Sequence, residues 1–138
     1  MVWGAALADA GATPAGFATG DFTIEAGYRA ANELLTGARP TAIFAASDEL
    51  AFGALFAARD AGLRVPGDLS VVGVDGHELS GFFRLTTIEQ FPRAQGERVA
   101  ETVLAALGED VAAPAASLPF ELVERASTAA PATPRPSR

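Results

Sequence analysis

Residues 41–76 read TAIFAASDELAFGALFAARDAGLRVPGDLSVVGVDG, and this stretch decides the fold. TAIFAA (41–46) is a short apolar run with the length of a buried strand. Ser47 follows in the N-cap position, with Asp48 and Glu49 in the first turn, where negative charge suits the helix dipole. The helix so predicted runs to Gly62. LRVPGDLSVVGV then turns over 66–68 and enters a second apolar strand over 69–74. Strand, helix and strand in immediate succession predict a right-handed βαβ unit with parallel strands.

The same alternation extends outward. Residues 3–11 suggest a helix, and PAGFATGDF (14–22) a short strand followed by a loop. TIEAGYRAANELL (23–35) is a helix with Thr23 as N-cap and Glu25 in its first turn, ended by Gly37 and Pro40. After a loop over 75–84, LTTIEQ (85–90) reads as a third strand. PRAQGERVAETVLAAL (92–107) has proline at a helix start and an apolar face of Val99, Val103, Leu104 and Leu107. SLPFELVER (117–125) is a last extended segment. The expectation is one α/β domain over 1–125 with a mostly parallel sheet, then a disordered tail over 126–138, where proline, alanine and serine dominate.

Composition narrows the function. The 138 residues are 49% hydrophobic and 20% charged, as in soluble globular proteins. No apolar stretch approaches the ~20 residues that span a bilayer. The start is apolar but lacks a basic leader and carries Asp9, so it reads as a helix and not as a signal peptide. A net charge of −7 opposes broad contact with a phosphate backbone. Cysteine is absent, which removes disulfides, thiolate chemistry and cysteine-held zinc and accords with a cytoplasmic protein. Every basic residue is arginine, so a P-loop lysine and Schiff-base chemistry are excluded.

Open parallel sheets bind ligands beyond the carboxyl ends of their strands. Three polar clusters fall there: Gly20, Asp21 and Phe22; Ala46, Ser47 and Asp48; Asp75, Gly76 and His77. Asp75 ends a buried strand, where ligand hydroxyls, a cationic group or an arginine would offset its desolvation. The alternative is an Asx-turn with Gly76. Ser47 is explained as a cap and also faces the cleft; Asp48 is explained by the helix dipole or as a second polar contact. Phe22 either stacks on a ligand or plugs the helix behind it.

Catalytic and metal patterns fail. HELSG (77–81) begins like a zinc-protease helix, but Gly81 stands where the second histidine is needed. Ser47 has no G-x-S-x-G elbow. No metal or cofactor is expected. On the helix after Ser47, Leu50, Ala51, Ala54, Leu55 and Ala58 suffice for the sheet, while Phe52 and Phe56 point away beside Arg59. That second face reads as a subunit interface or as a surface covered by a loop.

Several of these stretches together resemble the LacI/GalR family of bacterial transcriptional regulators: GDFTIEAGYRAANELL, the 40–76 segment, LTTIEQ and LVERAST occur in the family's order over about residues 3–128. The resemblance implies the later part of an effector-binding core, a truncated three-layer α/β sandwich of the type I periplasmic-binding-protein kind. It implies that Phe22 stacks on a small sugar or nucleoside-like effector, that Ser47 lines the pocket, that Asp75 bonds effector hydroxyls or ring nitrogens, and that Gln90 faces the cleft at the crossover between subdomains. It also implies dimerisation through Phe52, Phe56 and the 78–84 segment with Phe82 and Phe83. The DNA-binding headpiece and the first half of the core have no counterpart in the sequence. Helix 92–107 therefore belongs to a crossover toward an absent subdomain and must fold back or dock on another copy, as in a domain-swapped oligomer. On this reading the protein is a sensor and not an enzyme. The rivals are a sugar-binding protein of an uptake system and a small hydrolase-like enzyme using Asp75 with His77 or Asp48.

Overall fold

The computed structural model describes residues 2–108 and 119–130. The elements run α1 (Val2–Asp9), α2 (Ile24–Thr36), β1 (Ala42–Phe44), α3 (Asp48–Asp60), β2 (Ser70–Asp75), a short 3-10 turn (Glu78–Ser80), β3 (Thr86–Glu89), α4 (Pro92–Ala106) and β4 (Glu121–Val123). The strands form one sheet in the order β1-β2-β3-β4. β1, β2 and β3 are mutually parallel and β4 closes the edge antiparallel. The predicted βαβ unit is present.

Both predicted caps form. Thr23 accepts a hydrogen bond from the Ala26 amide and Ser47 from the Leu50 amide, at 3.1 and 3.2 Å, each satisfying one of the amides a helix start leaves unpaired. α2 and α3 pack closely on each other. A Cβ on Gly27 would meet the Leu50 backbone and one on Gly53 the Ile24 and Tyr28 backbone, so these two glycines set the separation of the helices. The core gathers Ile43, Ala51, Phe52, Leu69, Val71 and Leu85.

Three expectations change. Residues 14–22 do not form a strand: Pro14 lacks an amide hydrogen and Gly16 and Gly20 bring no side chain to a pleated surface, and the sheet ends at β1. Residues 126–130 are not a loose tail. Ser127 is buried; its hydroxyl accepts from the Thr86 amide at 2.7 Å and donates to the Val71 carbonyl at 2.6 Å. Arg125 adds a bond from its guanidinium to the Leu85 carbonyl at 2.7 Å. Composition pointed to disorder because it does not register specific backbone partners. The remainder of that tail, 131–138, lies outside the described residues.

α4 is the third. It begins after Phe91, whose φ of 51° is left-handed, and none of its residues is buried. Val99, Val103, Leu104 and Leu107 stay 61, 51, 42 and 74% exposed. The helix does not fold back on its own sheet.

Candidate functional site

The carboxyl ends of β2 and β3 and the first turn of α3 meet at one end of the sheet. Asp75 is the last residue of β2, in parallel register with Glu89 at the end of β3. Its φ of 120° lies where side chains are rarely found, and Gly76 follows at 72°. The Glu89 carboxylate occupies the space a Cβ on Gly76 would need, and it also accepts from the Phe91 amide at 2.9 Å. Burial raises the Asp75 pKa above its ordinary value, aided by the charges of Asp48 and Glu49; the Asp48 amide and the nearby His77 oppose this. Asp75 remains solvent-exposed, a carboxyl held at the mouth of the sheet in an environment that disfavours its charge.

Asp48 corrects its sequence reading. It is fully buried, and its carboxylate accepts three bonds: from the His77 amide at 2.8 Å, the Ser80 hydroxyl at 2.6 Å and the Thr87 hydroxyl at 2.6 Å. A side chain so enclosed and satisfied is not a ligand contact. Gly73 makes the arrangement possible, because a Cβ there would collide with the Asp48 carboxylate. Ser47 is 3% exposed, and its hydroxyl oxygen accepts the capping bond. Gln90 is half-buried, and its carbonyl accepts from the Gln95 side chain at 2.8 Å.

Phe22 stands apart. It is 65% exposed, which excludes the plug, and it lines an apolar cavity of about 490 Å³ with Phe17, Leu34, Ile43 and Phe44. Asp75, Ser47, Asp48 and Gln90 do not line that cavity. The four residues other than Phe22 thus gather at one end of the sheet; Asp75 is exposed and Gln90 half-buried, while Ser47 and Asp48 are buried.

The apolar face of α3 also departs from expectation. Phe52 is fully buried, so it is a core residue and not an interface. The loop after β2 covers it: Phe83 stacks on it with centroids 4.4 Å apart and His77 meets it edge-on at 5.6 Å. Phe56 and Phe83 are half-buried, in edge contact at 5.8 Å, with the Arg59 guanidinium 5.1 Å from the Phe56 ring centre. Phe82 alone of the four rings is bare, at 85% exposure. His77 is half-buried and starts the 3-10 turn, its Nδ1 accepting from the Leu79 amide at 3.1 Å.

Sequence reasoning missed Ser80, Thr87, Ser127 and Glu89. One signal was available: an isolated glycine inside a strand, Gly73, marks a close approach by another group. Among the described residues no set of three or more His, Cys, Asp or Glu side chains is grouped to hold a metal ion. No described helix is long and apolar enough to cross a membrane.

Comparison with known proteins bears on the family and the fold. The family model of the periplasmic binding protein-like domain matches residues 5–128. The HTH-type transcriptional repressor PurR of Yersinia enterocolitica is 47% identical over 91 residues, 64% of this chain and 26% of the repressor. A dimeric Lac repressor with an 11-residue C-terminal deletion superposes with a TM-score of 0.84 at 34% identity, over 94% of this chain and 49% of that one. A LacI-family regulatory protein from Corynebacterium glutamicum gives 0.71 at 37% identity, over 80% and 44%. The chain spans about a quarter of the length of the curated relatives it matches. It belongs to the periplasmic-binding-protein-like domain family, among the effector-binding domains of LacI/GalR-type regulators.

Proposed function

We propose that this chain is the effector-sensing and dimerisation portion of a cytoplasmic LacI-type transcriptional regulator, with no catalytic activity. Its ligand is a small sugar or nucleoside-like molecule. In the intact regulator, effector binding biases closure of a cleft and hence the spacing of DNA-binding headpieces, a coupling between two sites. DNA contact belongs to such a headpiece, which accords with the net charge of −7 in this sequence. A Lac repressor dimer bound to operator and the anti-inducer ONPF is 34% identical to this chain, with a TM-score of 0.82, and supports the reading.

The observation that carries the ligand assignment is Asp75. Its backbone is strained and its carboxyl is pushed toward the neutral form while open to solvent. Strain kept at a strand mouth is the mark of a functional position. Hydroxyl or ring N–H groups of a ligand would stabilise the carboxylate there. Phe22 offers a ring for stacking on a flat ligand face, and Gln90 a third contact.

Calorimetric titration with a panel of monosaccharides and purine bases tests this. Binding of one class is expected, and it should be lost in Asp75→Ala. Heats unchanged by that substitution would overturn the role of Asp75. Self-association, directly or by exchange of α4, is read by light scattering across concentration. A monomer at the highest concentration would exclude both routes.

A further inference from the structure

We propose that the open edge of β1 is a second ligand site, which takes an uncharged, flat aromatic heterocycle carrying a ring N–H beside a carbonyl. It does not rest on the ligand assigned to Asp75, and Phe22 is the only residue the two readings share.

β1 is the outermost strand of the sheet. The Thr41 carbonyl accepts from the Ser70 amide and the Ala45 amide donates to the Val72 carbonyl, both at 2.9 Å. Backbone groups of successive strand residues turn alternately to the two sides. Thr41, Ile43 and Ala45 therefore serve β2, while the amides and carbonyls of Ala42 and Phe44 turn outward. None of these four groups has a hydrogen-bond partner among the described residues. An unpaired strand edge is a ready template for hydrogen bonding.

The apolar cavity lies along that edge. Residues 42–46 all line it, although successive side chains of a strand point to opposite faces; a space beside the strand touches them all. Residues 14–20 line it too, and they make no backbone bond to β1. Its volume of about 490 Å³ falls within the range of small-molecule sites, roughly 300–1,000 Å³. Phe17, Phe22 and Phe44 line it while remaining 58, 65 and 56% exposed, which puts three rings at its open side.

The lining decides the class of ligand. Among the described residues that line it there is no charged side chain, and Thr19 is the one polar side chain. An ionised ligand would lose hydration without a counter-charge, and a sugar would leave most of its hydroxyls unpaired. A flat aromatic ring buries apolar surface and stacks on phenylalanine. The Ala42 carbonyl and the Phe44 amide stand two residues apart on one edge, an acceptor beside a donor. A ring N–H next to a carbonyl, as in a cyclic amide, complements that pair.

Fluorescence titration of the full chain with carbostyril, a neutral bicyclic cyclic amide, tests the site. Saturable binding of one molecule per chain is expected. The N-methyl derivative, which keeps the rings and lacks the donor, should bind about fivefold more weakly for want of one hydrogen bond. Phe22→Ala and Phe44→Ala, both at exposed positions, should each weaken carbostyril about threefold or more. Absence of saturable binding overturns the proposal, and so does equal affinity for the N-methyl derivative. Loss of binding in Asp75→Ala would move the probe to the mouth of β2, and loss in Val103→Ser with Leu107→Ser would move it to α4; either result overturns the site. Carbostyril bound at the edge with no sugar or purine bound in calorimetry would uphold this site and reject the ligand class assigned to Asp75. Sugar binding lost in Asp75→Ala, with no carboxyl-independent binding of carbostyril, would do the reverse.

Discussion

α3 and α4 are helices of similar length in the same chain, yet they end in opposite circumstances. α3 buries seven residues, including a carboxylate and a phenylalanine, whereas α4 buries none. Both carry apolar side chains on one face. What separates them is the supply of partners: α3 lies between α2, the sheet and the loop after β2, whereas Val99, Val103 and Leu104 of α4 stay 61, 51 and 42% exposed. Helical pattern sets which face is apolar; burial depends on what the rest of the fold brings to it.

Substitutions can break that contrast, the strongest coming first. Phe52→Ala deletes a fully buried ring and its stack on Phe83, and should cost about 3–5 kcal/mol in urea unfolding. A loss under about 1 kcal/mol would mean that the ring is not enclosed and that the loop does not cover α3. Ser127→Ala removes the hydroxyl joining β2 to β3, and should cost about 1–3 kcal/mol in the same measurement. It sharpens the comparison by asking whether a segment of tail-like composition contributes as α3 does.

On α4, Val103→Ser with Leu107→Ser should change monomer stability by no more than about 0.5 kcal/mol, while abolishing any self-association that runs through this face. A large loss of stability at a concentration where the chain is monomeric would show that α4 packs internally after all.

The smallest effect concerns Asp75, at the open rim of the α3 region. Its folded-state pKa is raised above the ordinary 3.8, so the stability it contributes is fully present below that value and lost as pH rises through the raised one. Asp75→Asn should therefore be slightly more stable than wild type at neutral pH, with the difference vanishing in acid below the ordinary carboxylate range. Thermal melts across pH check the sign, and a variant less stable at neutral pH would reverse it.

Much of the fold was legible in the residues. Thr23 and Ser47 act as the caps their positions predict, because capping is decided within one helical turn. The β1, α3 and β2 sequence of elements follows from short apolar runs and one periodic stretch. The site was legible only in part. Asp75 could be placed at a strand mouth from its neighbours, but the partners of Asp48 come from residues 29 to 39 positions away, and no local pattern announces them. Phe52 illustrates the same limit: periodicity put it off the sheet face, and only the returning loop made it core.

By itself, the sequence determined the element order, both caps, the exclusion of thiolate and Schiff-base chemistry, and the place of Asp75 at the end of a strand. These follow from local sterics, hydrogen bonding and the presence or absence of side-chain types. Tertiary structure alone decided that Asp48 is an internal anchor, that Ser127 staples two strands, and that no residue of α4 is buried. Each is settled by which distant groups meet, and burial and hydrogen bonding take their value from those meetings.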